Sequence, residues 1–103
     1  MFFTVTMVHP DGPAWGEHVK AHVDYLEELV AAGSLKASGP LKGGPLRAGL
    51  LIFEVADRAT VEKVVAADPF AVHGVIQTLM IHEWDPVFGA FSGEASGKIP
   101  VSA

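Results

Sequence analysis

The sequence has no cysteine, so neither a disulfide framework nor a thiolate metal site can form, and an intracellular setting is the default. Basic residues are also scarce. Seven Lys and Arg stand against twelve Asp and Glu, a formal charge of -5, and the seven never cluster. Binding to nucleic acid or to an anionic membrane draws on a basic surface, so neither partner is expected. No apolar run approaches the ~20 residues that span a bilayer. The apolar stretch from Met1 to Val8 lacks the basic n-region and small-residue cleavage site of an export signal, which points to a cytoplasmic protein. The glycines at 43, 44 and 49 do not have phosphate-loop or dinucleotide spacing, so no cofactor is implied.

What remains is apolar. Half of the 103 residues are hydrophobic and only 18% are charged, a rich mixture for one small domain whose surface is large relative to its volume. Some of that apolar surface is expected to meet a partner.

Phe2 to Val8 is aromatic and β-branched and stops at the turn cluster His9, Pro10, Asp11, Gly12, Pro13, which predicts a first strand. Asp11 or Gly12 can cap the next element and Pro13 suits its first turn. Trp15, Val19, His22, Val23, Leu26, Leu29 and Val30 then recur at three- and four-residue steps, an amphipathic helix ended by Gly33. Leu35 to Leu41 contains Gly39 and Pro40, so a strand there belongs at an edge. Gly49 to Val55 carries Leu50, Leu51, Ile52 and Phe53 without alternation, which predicts a strand covered on both faces. A second helix spans about Arg58 to Ala67 and halts where Asp68 precedes Pro69. Val75 to Trp84 supplies the last strand. The segment from 87 to 103 has no periodicity and is expected to be disordered, draped over a neighbouring subunit, or folded across its own sheet.

Strand, helix, two strands, helix, strand is the ferredoxin-like βαββαβ order of an α+β domain over residues 1 to 86, with a four-stranded antiparallel sheet. Both helices then lie on one face. The other face is bare, yet the strands place apolar pairs on both sides: Phe2 and Phe3, Leu50 and Leu51, Met80 and Ile81. Roughly ten such side chains left in water at about 1.5 kcal/mol each would forfeit on the order of 15 kcal/mol. That rivals the net stability of a domain. A homodimer or higher homo-oligomer, closing sheet against sheet, is the expected remedy.

His22 lies in the apolar stripe of the first helix, where an imidazole is either a core-edge group bonded to a carbonyl or a group facing a cleft. His18 and His22 have the four-residue spacing of two metal ligands, but no glutamate lies between them and no motif marks a third ligand, so no metal site is expected. Asp68 stands at a helix end where the macrodipole disfavours a carboxylate. It is either a turn or cap aspartate or the group that orients a histidine across a cleft. Ser38, Gly39 and Pro40 would lie near the start of that cleft. No GxSxG flanks the serine, so it is a binding rather than a nucleophilic candidate.

His22, Val23, Asp24, Tyr25, Leu26, then Leu29, Gly33, Leu35, Ser38, Gly39, Pro40, and downstream Ala67, Asp68, Pro69, Phe70 and Trp84 together resemble the YCII (YciI-like) family. The resemblance covers about residues 1 to 86. It implies a dimeric α+β barrel of ferredoxin-like subunits, similar in shape to muconolactone isomerases. It also implies a histidine and aspartate pair in a cleft, roles that fall on His22 and Asp68. Ser38, Gly39, Pro40, Phe70 and His73 are the substrate-binding candidates around that pair, His73 standing where a small or apolar residue is expected. A family member that eliminates HCl from a chlorinated hydroxyhydroquinone implies proton-transfer chemistry on small oxygenated rings. Trp15, Glu17 and His18 stand where the family often has a basic residue, which argues against recognition of anions.

These readings lead to a small lyase or isomerase-type enzyme in which His22 moves a proton and Asp68 orients it. The alternative is a non-catalytic module that binds a small ligand or serves as a structural subunit.

Overall fold

A computed structural model describes residues 1–99 of the chain. The elements are β1 (Phe2–Val8), α1 (Ala14–Ala31), β2 (Leu35–Leu41), β3 (Ala48–Glu54), α2 (Arg58–Ala66), the single-turn helix α3 (Pro69–Val72) and β4 (Thr78–Trp84). The four strands form one antiparallel sheet in the order β2-β3-β1-β4, the α+β ferredoxin-like arrangement that the element order predicts. As expected from Gly39 and Pro40, β2 is an edge strand. Its register slips between Leu35 and Ala37, a bulge that turns Ser38 and Pro40 toward the helix side, opposite Leu51 and Gly49.

The strand period of two separates the faces. Phe3, Val5 and Met7 of β1 and Leu51 and Phe53 of β3 are buried beneath Val61 and Val65 of α2, with Leu26 and Leu29 of α1 packed alongside. Tyr25 fastens α1 to α2 by donating its hydroxyl hydrogen to the Val64 carbonyl at 2.7 Å. Burial, reinforced by the charge of Asp68, pushes this phenol's pKa up, so it keeps the proton that the bond needs.

Boundaries differ from the expectations at four elements, β3 lying one residue earlier at each end. Helix α1 has no side-chain cap: Pro13 occupies the capping position, and Asp11 Oδ1 instead accepts from the adjacent Gly12 N–H. Helix α2 stops at Ala66. Strand β4 starts at Thr78, because the residues before it close the turn out of α3: the Val75 N–H donates to the Phe70 carbonyl and the Gln77 N–H to the Val8 carbonyl.

The outer face of the sheet is less apolar than expected. Pairing across the ladder gives it Phe2 with Trp84, Thr4 with His82, Thr6 with Met80 and Val8 with Thr78, so the central strand offers two threonines there. One end is already covered. Phe91 packs against Phe2 and Trp84, with ring centroids 5.5 and 6.1 Å away. The segment after β4 therefore folds back on its own sheet as far as a 3₁₀ turn at Ser92–Glu94. Asp85 closes it by accepting hydrogen bonds from the Ser96 N–H and hydroxyl, and those bonds hold the Asp85 carboxyl below the usual aspartate range. Residues 100 to 103, part of the tail that the sequence leaves without periodicity, lie outside the described residues.

Candidate active site

The Asp-Pro junction builds the site. Proline restricts the preceding residue to extended backbone, and Asp68 has φ -62 and ψ 132, which ends α2 and at once starts α3. Pro69 fills the first position of α3, where a missing N–H costs nothing. Asp68 Oδ1 accepts from the Phe70 N–H at 2.9 Å, the ordinary capping bond. The acid that looked misplaced at a helix C-terminus thus serves the N-terminus of the next helix.

Capping leaves the carboxylate aimed at α1. Nδ1 of His22 lies 2.9 and 2.8 Å from the two carboxylate oxygens of Asp68. The carboxylate side chain is 2% exposed and the imidazole 13%. The carboxylate can only accept, so Nδ1 carries the hydrogen and a neutral ring presents its lone pair at Nε2. One carboxylate thus both caps α3 and contacts the His22 ring.

Phe70 is 1% exposed and is the centre of an aromatic stack. The His22 ring lies nearly parallel to it, with centroids 4.2 Å apart, and His9 and Trp15 flank it at 4.6 and 6.3 Å. His9 is 4% exposed and donates Nδ1–H to the Val75 carbonyl at 2.7 Å, so its tautomer is fixed in the same sense as that of His22.

Above this layer opens a cavity of about 560 Å³, the size of a small-ligand site. Its walls include His22, Phe70, Ser38, Gly39 and Pro40, so five of the seven sequence candidates face one space, with Asp68 bonded behind His22. His73 is not part of the lining. Its ring stacks on His18, 4.1 Å between centroids and 11° between planes, away from the cavity. His18 and His22 thus make separate contacts, and among the described residues no group of three or more His, Asp or Glu side chains is placed to hold a metal ion.

Among the polar and aromatic lining residues, His9, Trp15, Lys42 and Arg47 escaped the sequence reading in this role. His9 looked like the first residue of a turn, and only its position at the end of β1, beside the helix layer, gives it a wall to occupy. Arg47 lies 3.9 Å over the Trp15 ring. The cations that the α1 positions lack thus reach the cavity from the β2–β3 connection.

A ferredoxin-like α+β chain with a buried aspartate behind a cleft histidine is the class defined by this fold and site. The model of the YCII-related domain matches residues 1–85, and the chain belongs to that family. No curated protein matches it. Among solved structures, 5-chloro-2-hydroxyhydroquinone dehydrochlorinase from Burkholderia phenoliruptrix, in complex with 2,5-dihydroxybenzoquinone, is similar with a TM-score of 0.72 and 25% identity over 82% of this chain and 93% of that one. An ethyl tert-butyl ether d (ethd) family protein from Bacillus halodurans (TM-score 0.51, 15% identity, 82% of this chain and 99% of that one) and a NIPSNAP domain protein from Burkholderia xenovorans (0.51, 15%, 80% and 90%) share the fold.

Proposed function

We propose that the protein catalyses proton transfer on a small oxygenated ring, in the manner of a lyase that eliminates HCl or of an isomerase. The observation that carries this reading is the contact of His22 Nδ1 with both Asp68 oxygens: a carboxylate that can only accept takes the Nδ1 hydrogen, which leaves Nε2 as the basic nitrogen of a histidine that lines the cavity. The dehydrochlorinase likeness supports a ring substrate. In an elimination from the 2-ene-1,4-dione tautomer of the ring, where the C–Cl carbon and its neighbour are both sp³, Nε2 takes the proton from that neighbour, the carbon next to a carbonyl. The C–H electron pair becomes the new C=C bond, and chloride leaves with the C–Cl pair. The products are the quinone, chloride and an imidazolium that Asp68 stabilises, so no oxidant is required. The apolar wall from Val19, Leu26 and Leu51 holds the ring and limits water around the base.

Anaerobic incubation with 5-chloro-2-hydroxyhydroquinone should release chloride in proportion to turnover. His22→Gln should lower the rate by about 10²- to 10⁴-fold, the usual contribution of a positioned general base. Absence of chloride release from the wild type, together with no deuterium uptake into ring carbons, would overturn the reading.

The same reading includes a homodimer closed across the outer sheet face. Half-buried Leu50 and Ile52, with Met80 at 47% exposure, are what a second copy would cover. Sedimentation at micromolar concentration should give twice the chain mass; a stable single subunit counts against this arrangement.

A further inference from the structure

The cavity wall has a charge pattern opposite to that of the whole molecule. The chain carries -5, yet the formally charged residues that line the cavity are Lys42 and Arg47, and no carboxylate is among the lining residues. Elsewhere, Lys63 and Lys98 have no ion-pair partner among the described residues, whereas Lys20, Lys36 and Arg58 each meet a carboxylate. Among the described residues neither Lys42 nor Arg47 does. Two uncompensated cations at one opening of an acidic protein create a local field that draws anions in.

Arg47 is also set in place. Its guanidinium carbon lies 3.9 Å from the centroid of the Trp15 ring, a cation–π contact. Its backbone carbonyl accepts from the His9 N–H at 2.8 Å, which anchors the residue to the end of β1. The guanidinium makes no side-chain hydrogen bond among the described residues, and its planar fork suits bidentate recognition of a carboxylate. Deeper in, Val19, Leu26, Leu51 and Phe70 offer an apolar space for a ring beside His22.

We propose that the ligand of this cavity is a small aromatic or quinonoid ring bearing a carboxylate. The ring sits beside His22 and the carboxylate is gripped at the mouth by Arg47 with help from Lys42. The proposal rests on the reading of this cavity as the substrate site, and it adds the class of substrate.

The test is binding, not turnover. The intact protein is titrated with 2,5-dihydroxybenzoate and with its neutral counterpart 2,5-dihydroxybenzamide, followed by NMR at the Arg47 Nε–H and the Trp15 indole N–H. One charge-assisted pair predicts that the acid binds at least about tenfold more tightly than the amide. In Arg47→Gln the preference should fall below about threefold while the affinity for the amide is unchanged, as befits loss of that pair alone. Lys42→Gln, on an exposed loop, should reduce the preference by a smaller factor and provides a second variant if the first folds poorly. Equal binding of acid and amide by the wild type, or a preference that survives both substitutions, overturns the proposal. A protein that releases no chloride and takes up no deuterium into ring carbons, including those of the bound acid, but still prefers the acid would remove the proton-transfer reading and leave this one standing.

Discussion

Asp68→Asn is expected to leave the fold nearly as stable as the wild type and to abolish most of the activity. The asparagine oxygen can still accept from the Phe70 N–H, so the start of α3 survives, and asparagine is as good a cap as aspartate. What changes is the face toward His22. An amide can donate as well as accept, so the neutral imidazole is free to carry its hydrogen on Nε2, leaving the wrong nitrogen toward the substrate. The imidazolium formed during proton transfer also loses its counter-charge. A fall of about 10²- to 10⁴-fold in turnover follows, with stability changed by no more than about 1 kcal/mol. Asp68→Ala separates the two roles from the other side. It deletes the cap, worth about 1 kcal/mol, and leaves the Phe70 N–H and His22 Nδ1 without a partner in a poorly hydrated spot, at about 1 to 3 kcal/mol. Denaturant unfolding and steady-state rates on the same samples distinguish these cases. An Asn variant that keeps its rate within about threefold, well short of what a positioned acid/base pair supplies, would reduce Asp68 to a structural residue.

Phe70→Ala should produce the largest loss of stability of any single change at the site, about 3 to 5 kcal/mol, the usual cost of emptying a buried aromatic position. The reason is positional. Phe70 is 1% exposed and carries three rings, those of His22, His9 and Trp15, so its removal opens a void beneath two imidazoles rather than at the rim of the core. Phe70→Leu restores most of the volume but not the flat surface. It is expected to recover most of the stability while the His22 ring signals broaden, because the stacking that fixes the imidazole plane is lost. Unfolding midpoints and histidine ring NMR provide the two readings. A loss below about 1 kcal/mol for the alanine variant would mean that the aromatic stack is not a packing centre.

Much of the architecture was legible in the sequence because each element had its own local signal. The apolar run of β1, the three- and four-residue rhythm of α1 and the Asp-Pro stop after α2 each fixed an element within a residue or so of where it lies. The start of β4 was misplaced because Val75 and Ile76 look like strand residues, although Val75 is instead bonded into the turn out of α3. The apolarity of the outer face was overstated for a similar reason: counting adjacent pairs such as Phe2 and Phe3 ignored that Thr4 and Thr6 follow Phe2 on its side of the sheet.

At the site, His22 and Asp68 were found because each broke a local rule, one as a polar group in an apolar stripe, the other as an acid at a helix end. Arg47 and Lys42 broke none. They lie in a glycine-rich connection where a cation is ordinary, and only the return of that loop over Trp15 makes them part of the wall. His9 likewise gives no signal in one dimension, since its partner Val75 is 66 positions away.

Phe91 limits how the sheet can be used. By lodging against Phe2 and Trp84 it shortens the bare strip, leaving the stretch from Thr4 and His82 toward Val8 and Thr78. In the proposed dimer a second copy would therefore seat off-centre, toward the strand ends nearest the cavity mouth at Arg47. The proposed assembly and ligand entry would thereby be crowded onto the same end of the molecule.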